Sequence, residues 1–211
     1  MEQRRVERFR KRVILVHWLQ ATSFAVLLTT GVVMFFDLTD IGGGTLIRTI
    51  HQAAALVFVI VPITFMIFDP KTAMSFVKTA FRWDRDDRAW LRGAVGFYFG
   101  RKVKMPPQGY INGDQKLWQL IVIITGSVFV LTGILMWFFK FKIPLELYQW
   151  VLLIHAVAFV VISVMFLVHL YLIMLHPAFE ESLSSMVTGK VSASYAQNHY
   201  GKWYDKKTNE E

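Results

Sequence analysis

The chain has 211 residues, of which 55% are hydrophobic, and its mean hydropathy of +0.42 lies outside the usual range of soluble proteins and indicates an integral membrane protein. The formal net charge of +8 does not point to nucleic acid, because the basic residues lie beside apolar segments rather than in a separate basic domain. The chain has no cysteine, which excludes disulfides, thiolate metal sites and cysteine-ligated iron–sulfur clusters, so imidazole is the obvious ligand for any bound metal.

Four apolar segments are each long enough to cross the hydrocarbon core of a bilayer, which takes roughly 20 helical residues. We expect the spans at 13–36, 48–68, 117–139 and 148–175. The basic N-terminal arm leads into a long apolar stretch without a small-residue cleavage site, which favours an uncleaved first span over a signal peptide. The predicted fold class is an all-α integral membrane protein, a four-helix transmembrane bundle forming one domain over residues 1–211.

Two polar segments remain, a connection at 69–116 and a tail at 176–211. Residues 71–83 place apolar side chains on one helical face with basic residues around it, which predicts a helix in the membrane interface; a basic loop beside lipid is the alternative. Lysine and arginine are concentrated in the N-terminal arm, the connection and the tail. By the positive-inside rule, both termini and the connection are expected in the cytoplasm.

Four histidines lie inside the predicted spans: His17, His51, His155 and His169. Ionisable side chains in a membrane are costly, so each is a candidate functional residue. The predicted topology places His51 and His155 in the outer half of the membrane and His17 and His169 in the cytoplasmic half. The four histidines therefore form two pairs at two depths.

The spacing of His155 and His169 puts both on one helix face, since 14 residues of ideal α-helix span about 21 Å along the axis and about 40° around it. Two imidazoles on one face, each opposite an imidazole of another helix, are what two bis-histidine haems in a four-helix bundle require. Zinc or proton transport would normally need carboxylates along a path, and the span interiors have none. A haem-free anchor or transporter, with histidines bonded between helices, is the alternative.

The small residues of the spans and the other two histidines are weaker evidence for haem binding. Small residues in the spans could let a macrocycle approach the backbone, but they are equally typical of ordinary helix packing; they are Thr30, Gly31, Ala53, Ala54, Gly126, Gly133, Ala156 and Ala158. His176, which precedes Pro177, and His199 in the polar tail have no partner at the same depth. Neither is expected to be a ligand.

The chain resembles the membrane cytochrome b (gamma) subunit of formate dehydrogenases of the N type, which is related to the cytochrome b subunits of nickel–iron hydrogenases and thiosulfate reductase. The resemblance extends through nearly the whole chain. It is carried by RVILVHWLQ at Arg12–Gln20, RTIHQ at Arg48–Gln52, the NGDQK turn at 112–116, the His155 and His169 pair, and the tail from Ser185 to Tyr204.

The resemblance implies that His51 and His155 are the axial ligands of an outer haem b, and that His17 and His169 ligate a haem b on the cytoplasmic side. It also implies a quinone site beside the second haem, where Asn112 would bond a quinone carbonyl. The alternative role of Asn112 is to cap the third span or form its turn. The family tail often has His-His-Pro where this chain has His199-Tyr200-Gly201, so we transfer no quinone role to the tail.

The predicted function is electron transfer from a partner iron–sulfur subunit through two haems to menaquinone or ubiquinone, at the cytoplasmic side of the bacterial inner membrane. The chain would be the electron-transfer subunit of a quinone-reducing oxidoreductase whose formate dehydrogenase site lies on another chain. Such complexes can assemble into higher oligomers. The alternative is the cytochrome b subunit of a nickel–iron hydrogenase or another periplasmic dehydrogenase.

Overall fold

The computed structural model describes residues 4–38 and 43–210, except for the side chains of Gly43 and Glu210. This part of the chain is mostly α-helical. In chain order its elements are β1 (Arg5–Glu7), α1 (Lys11–Phe35), α2 (Gly43–Phe68), α3 (Pro70–Phe81), α4 (Arg85–Tyr98), α5 (Gly113–Phe138), α6 (Leu145–Met174), a 3-10 turn (Pro177–Phe179), α7 (Glu180–Thr188), β2 (Lys190–Ser192), α8 (Ala193–His199) and α9 (Gly201–Glu210).

Helices α1, α2, α5 and α6 are long and apolar enough to cross a membrane. In their most apolar 18-residue stretches only 6–17% of the residues are buried, so most of their side chains are at least partly exposed. A large exposed apolar surface of this kind is typical of helices in a membrane. The four long apolar helices of the predicted fold class are therefore confirmed, and each begins slightly earlier than the predicted span.

The residues group into two compact units. The first unit comprises Met1–Ile14, Met74–Leu120 and Val168–Glu211, and the second comprises Leu15–Ala73 and Ile121–Leu167. The second unit contains most of the four long helices. The first contains the short elements of the connection and the tail.

Side-chain contacts within the second unit join the long helices in a ring. Hydroxyl–imidazole contacts join α1 to α2 and α5 to α6. Phe24 of α1 meets Phe166 of α6 edge to face, with ring centroids 5.0 Å apart. Phe58 of α2 lies 3.8 Å from the position that a Cβ on Gly126 of α5 would occupy. Each helix thus contacts two others, which is the arrangement of a four-helix bundle.

In the first unit, the start of the chain pairs with its tail. Strands β1 and β2 are antiparallel, with Val6 opposite Val191. Gly189, just before β2, has φ 78° and accepts backbone hydrogen bonds from Arg8 and Phe9 at 2.8 and 3.0 Å. A Cβ at this position would lie 2.6 Å from the Phe9 carbonyl oxygen, so both the backbone conformation and the close approach require glycine.

The connection contains two helices where the sequence predicted one. Helix α3 lies where the amphipathic pattern placed it, with Ala73 and Ala80 buried and Phe76 and Phe81 about half exposed. Helix α4 was missed. Its signal was a capping box at Asp84. The Asp84 side chain accepts from the Asp87 N–H at 2.8 Å, and the Asp87 side chain accepts from the Asp84 N–H at 2.8 Å.

Candidate functional site

His51 of α2 is hydrogen-bonded through its ring Nδ1 to the hydroxyl of Thr30 on α1, at 2.7 Å. The same hydroxyl oxygen lies 2.7 Å from the Val26 carbonyl oxygen, one turn earlier on α1. A carbonyl oxygen can only accept, so this short O···O contact requires the hydroxyl proton. The imidazole must then donate from Nδ1, which leaves the lone pair on Nε2.

His155 of α6 has the same arrangement with Thr132 of α5. Its Nδ1 lies 2.8 Å from the Thr132 hydroxyl oxygen, which is 2.6 Å from the Val128 carbonyl oxygen. His155 therefore also donates from Nδ1 and has its lone pair on Nε2. The ring of Phe129 meets the imidazole edge to face at 4.9 Å.

His51 and His155 could each offer a lone pair on Nε2 to a metal. A metal-bound histidine typically donates its second ring N–H to a hydrogen-bond acceptor, which fixes the tautomer and ring orientation. No group of three or more His, Cys, Asp or Glu suited to a metal ion occurs among the described residues. A haem needs only two protein ligands, because the porphyrin supplies the other four.

The other two candidate histidines lie in different units. His17, in the second unit, has a buried Nδ1 with no hydrogen-bond partner in the described part of the chain, and its ring meets Trp18 edge to face at 5.3 Å. His169, in the first unit, stacks on Trp118 of α5, with centroids 4.7 Å apart and planes 7° apart. Their pairing across a haem stays a prediction from the sequence.

His176 and His199, which the sequence does not predict to be haem ligands, contact other groups. His176 accepts at Nδ1 from the Ala178 N–H at 3.2 Å, so its Nε2 donates to the Tyr98 carbonyl oxygen at 3.3 Å. Both ring nitrogens are engaged, and no lone pair is left for a metal. His199 stacks on Tyr195 at 4.3 Å. Burial, assisted by the charge of Arg8, lowers the pKa of His199 to about 4, so it is neutral at pH 7.

Asn112, the predicted quinone contact, caps helix α5. Its Oδ1 accepts from the Gln115 N–H at 3.1 Å, and Gln115 Oε1 accepts from the Asn112 N–H at 3.3 Å, which is a capping box. The Asn112 side chain is fully buried, and its Nδ2 has no hydrogen-bond partner within the described residues. The capping alternative is therefore present in the structure, and it leaves the amide nitrogen of Asn112 without a hydrogen-bond partner among the described residues.

The rest of the NGDQK turn joins α5 to α4 within the first unit. A Cβ on Gly113 would lie 2.6 Å from the Asp87 carbonyl oxygen, so only glycine permits this approach. Asp114 accepts from the Tyr98 hydroxyl at 2.7 Å. Burial and the nearby Asp114 carboxylate raise the pKa of Tyr98, so the phenol keeps its proton. Lys116 pairs with Asp87 at 2.6 Å. Every residue of the turn thus has a defined structural contact.

Residues 8–189 match the family model of prokaryotic cytochrome b561. The chain belongs to this family. Its relatives include the cytochrome b556(Fdn) subunit of the nitrate-inducible formate dehydrogenase of Escherichia coli, 32% identical over 127 residues, which are 57% of this chain and 55% of the relative. The cytochrome b556 subunit of a formate dehydrogenase of Haemophilus influenzae is 24% identical over 95% of this chain and 82% of its own.

The resemblance to formate dehydrogenase cytochrome b subunits is confirmed by these matches. The chain spans about half the length of the first of these relatives. Membership of a cytochrome b family implies b-type haem. Two neutral imidazoles from different helices, each with its lone pair on Nε2, fit the axial ligation of such a haem.

Three residues of this cytochrome were missed by the sequence reasoning. In the sequence, Thr30 is one of several small residues of the spans and Thr132 has no distinguishing feature. Arg8 belongs to the basic N-terminal arm, yet it is 6% exposed. Its guanidinium lies 3.6 Å from the centroid of the Tyr200 ring and donates to the Tyr110 carbonyl oxygen at 3.2 Å. In the sequence, a threonine after an apolar run is typical of a helix-packing position. Only the structure shows that each of these threonines contacts a histidine on another helix.

Proposed function

We propose that this cytochrome carries electrons from the partner subunits of a formate dehydrogenase to a quinone through two b haems. The observation that carries the proposal is the repeated threonine–histidine bond, which leaves Nε2 of His51 and of His155 able to ligate iron. Family membership, the names of the relatives and four helices of membrane-spanning length support it.

His51 and His155 would hold the first haem. His17 and His169 would hold the second, a pairing that rests on the depths assigned from the sequence. When bound, the haems supply reversible one-electron chemistry. The chain's own contribution is to hold imidazoles in fixed tautomers and to surround them with apolar helices, which exclude water and tune the potential.

The bacterial inner membrane is the proposed location, with both termini in the cytoplasm. Strand β1 precedes the four long helices and β2 follows them, and the pairing of the two strands supports a location of both on one side of the membrane, as an even number of spans provides. The concentration of lysine and arginine in the polar segments selects the cytoplasmic side.

Quinone reduction is proposed on the cytoplasmic side, close to the start of α5. The unused Nδ2 of Asn112 would donate to a carbonyl oxygen of menaquinone or ubiquinone, and the protons would come from the cytoplasm. The chain would thus complete a quinone-reducing oxidoreductase in which formate is oxidised on another chain. An iron–sulfur subunit would deliver the electrons, and a catalytic formate dehydrogenase chain would release them.

The test is a reduced-minus-oxidised absorption spectrum of the purified cytochrome together with a haem count per chain. We expect a b-type spectrum and two haems. A chain purified without a b-type spectrum after expression with an adequate haem supply would contradict the proposal. To identify the partner, formate and hydrogen are compared as reductants of the haems in native membranes. Reduction by hydrogen but not by formate would instead favour a nickel–iron hydrogenase.

A further inference from the structure

We infer that Thr30 and Thr132 are positioning residues for the axial ligands His51 and His155, and that they lower the midpoint potential of the haem held by this pair. The inference rests on the proposed function, because it presupposes that these two histidines ligate haem. It adds two residues outside the ligand set and assigns a direction to their effect.

The same threonine–histidine geometry occurs twice in the bundle. In each case one helix supplies the threonine and the next long helix in the chain supplies the histidine, α1 to α2 and α5 to α6. Thr30 and Thr132 are 5% and 6% exposed, so water does not readily replace either hydroxyl. A polar pair that appears twice in an apolar bundle, on both members of one ligand set, indicates a shared role.

Each threonine–histidine hydrogen bond has a defined direction. The hydroxyl donates to a backbone carbonyl of its own helix, so its oxygen accepts from the imidazole N–H. Donation by a hydroxyl also strengthens it as an acceptor, since hydrogen bonds in a chain polarise one another. Each threonine therefore fixes the tautomer of its histidine, holds the ring at one rotation and draws on its Nδ1 proton.

The hydrogen bond from each histidine to its threonine also affects the midpoint potential of the haem that the histidines would ligate. A hydrogen bond from Nδ1–H makes the imidazole a more basic ligand. A more basic ligand donates more electron density through Nε2 and favours ferric over ferrous iron, which lowers the midpoint potential. Both axial ligands carry the bond in the same sense, so their effects add.

His17 shows that a hydroxyl partner is not general for histidines in these helices. Its buried Nδ1 has no hydrogen-bond partner among the described residues. Thr29 and Thr125 show that the threonine back-bond alone does not create the arrangement. Their hydroxyls donate to the carbonyls of Ala25 and Ile121 at 2.8 and 2.7 Å, on the same two helices as Thr30 and Thr132.

The experiment uses the full-length holo-cytochrome with Thr30→Val and Thr132→Val, which keep the side-chain shape and remove the hydroxyl. Haem content, the ferric low-spin EPR signal and the midpoint potentials are measured on each. We expect both haems to remain and one midpoint to rise, by up to a tenfold change in the ferrous-to-ferric ratio, or about 59 mV for one electron. The double variant should show the sum.

Matched controls separate this role from helix packing. Thr30→Ser and Thr132→Ser keep the hydroxyl and should retain the wild-type midpoint, and Thr29→Val and Thr125→Val should leave it unchanged. If a valine variant loses one haem while its serine variant and the matched control keep both, the positioning role is supported. Wild-type midpoints in both valine variants, or equal changes in the controls, would overturn the inference. Absence of haem from the wild type would instead refute the proposed function.

Discussion

Lys116 donates to Asp87 at 2.6 Å where both side chains are nearly buried, 13% and 4% exposed. The same Asp87 oxygen accepts from the Asp84 N–H and so closes the capping box of α4. One carboxylate therefore holds the start of α4 and the first turn of α5 together. A buried pair of this kind contributes little net stability when intact, but removing one partner leaves an uncompensated charge.

Lys116→Met is expected to reduce the free energy of unfolding by about 3–5 kcal/mol, because Asp87 would remain buried without its counter-ion. The matched control is Lys202→Met. Lys202 pairs with Asp84 and Asp86 at 3.0 and 2.6 Å, but its side chain is 41% exposed. That change should cost about 0–1 kcal/mol. Denaturant unfolding in detergent measures both, and equal losses would contradict the burial argument.

Gly113→Ala tests the close approach of α4 to the start of α5. The added Cβ would lie 2.6 Å from a backbone oxygen, that of Asp87, and the backbone must move to accept it. We expect a loss of about 1–3 kcal/mol in unfolding free energy. Gly109 is the control, since a Cβ there would have no atom within 4 Å. A Gly109→Ala variant as unstable as Gly113→Ala would show that the approach is not the cause.

Asn112→Asp separates capping from quinone contact. The aspartate keeps an oxygen for the Gln115 N–H and loses the Nδ2 donor. We expect the KM for quinone to rise severalfold while haem content and haem reduction by formate stay unchanged. Asn112→Ala removes the cap as well and should cost a further ~1 kcal/mol of stability. A wild-type KM in the aspartate variant would refute quinone contact by this amide.

Substitution of the histidines should separate the ligands from the others. His51→Ala and His155→Ala should each lower the haem content from two per chain to one, because each removes an axial ligand of the same haem. His176→Gln should retain both haems, since both nitrogens of His176 are engaged by backbone groups. Haem extraction assays on purified variants give the count. Loss of haem only in the His176 variant would reverse the assignment.

Stability should fall in mild acid because of His199. Its pKa is about 4 in the folded chain, lowered by burial and by Arg8 against a smaller opposing effect of Glu181, compared with an ordinary value of 6.5. As the pH falls, His199 is protonated in the unfolded chain before it is protonated in the folded chain. Its contribution to the free energy of unfolding is therefore present above pH 6.5 and decreases as the pH drops toward 4. At pH 5 the loss should be about 2 kcal/mol.

His199→Phe provides the comparison, since it keeps a ring against Tyr195 and removes the titrating group. The difference in Tm between wild type and variant should change between pH 7 and pH 5, with the wild type losing more. Parallel pH profiles of Tm would show that His199 does not titrate in this window.

The features that the sequence predicted are those that obey local rules. Hydropathy located the four long helices because lipid requires about 20 apolar residues in each span. The amphipathic pattern located α3. Pairing of β1 with β2 could not be predicted in this way, because Val6 and Val191 are far apart in the chain and each strand has three residues.

Helix α4 could have been found from the sequence. Asp84 and Asp87 have the spacing of a capping box, which is a signal of a helix start that the sequence itself contains. Thr30 and Thr132 were beyond sequence reasoning for a different reason. The role of each depends on the partner across the helix interface, and hydropathy contains no information on which side chains meet there.

The pairing of β1 with β2 also has a consequence for folding during synthesis. Arg5–Glu7 is synthesised before the four long helices, whereas Lys190–Ser192 is synthesised after them. The β1 segment therefore has no strand partner while these helices are being made. The sheet, and the Gly189 contacts beside it, can form only after the fourth long helix has been synthesised.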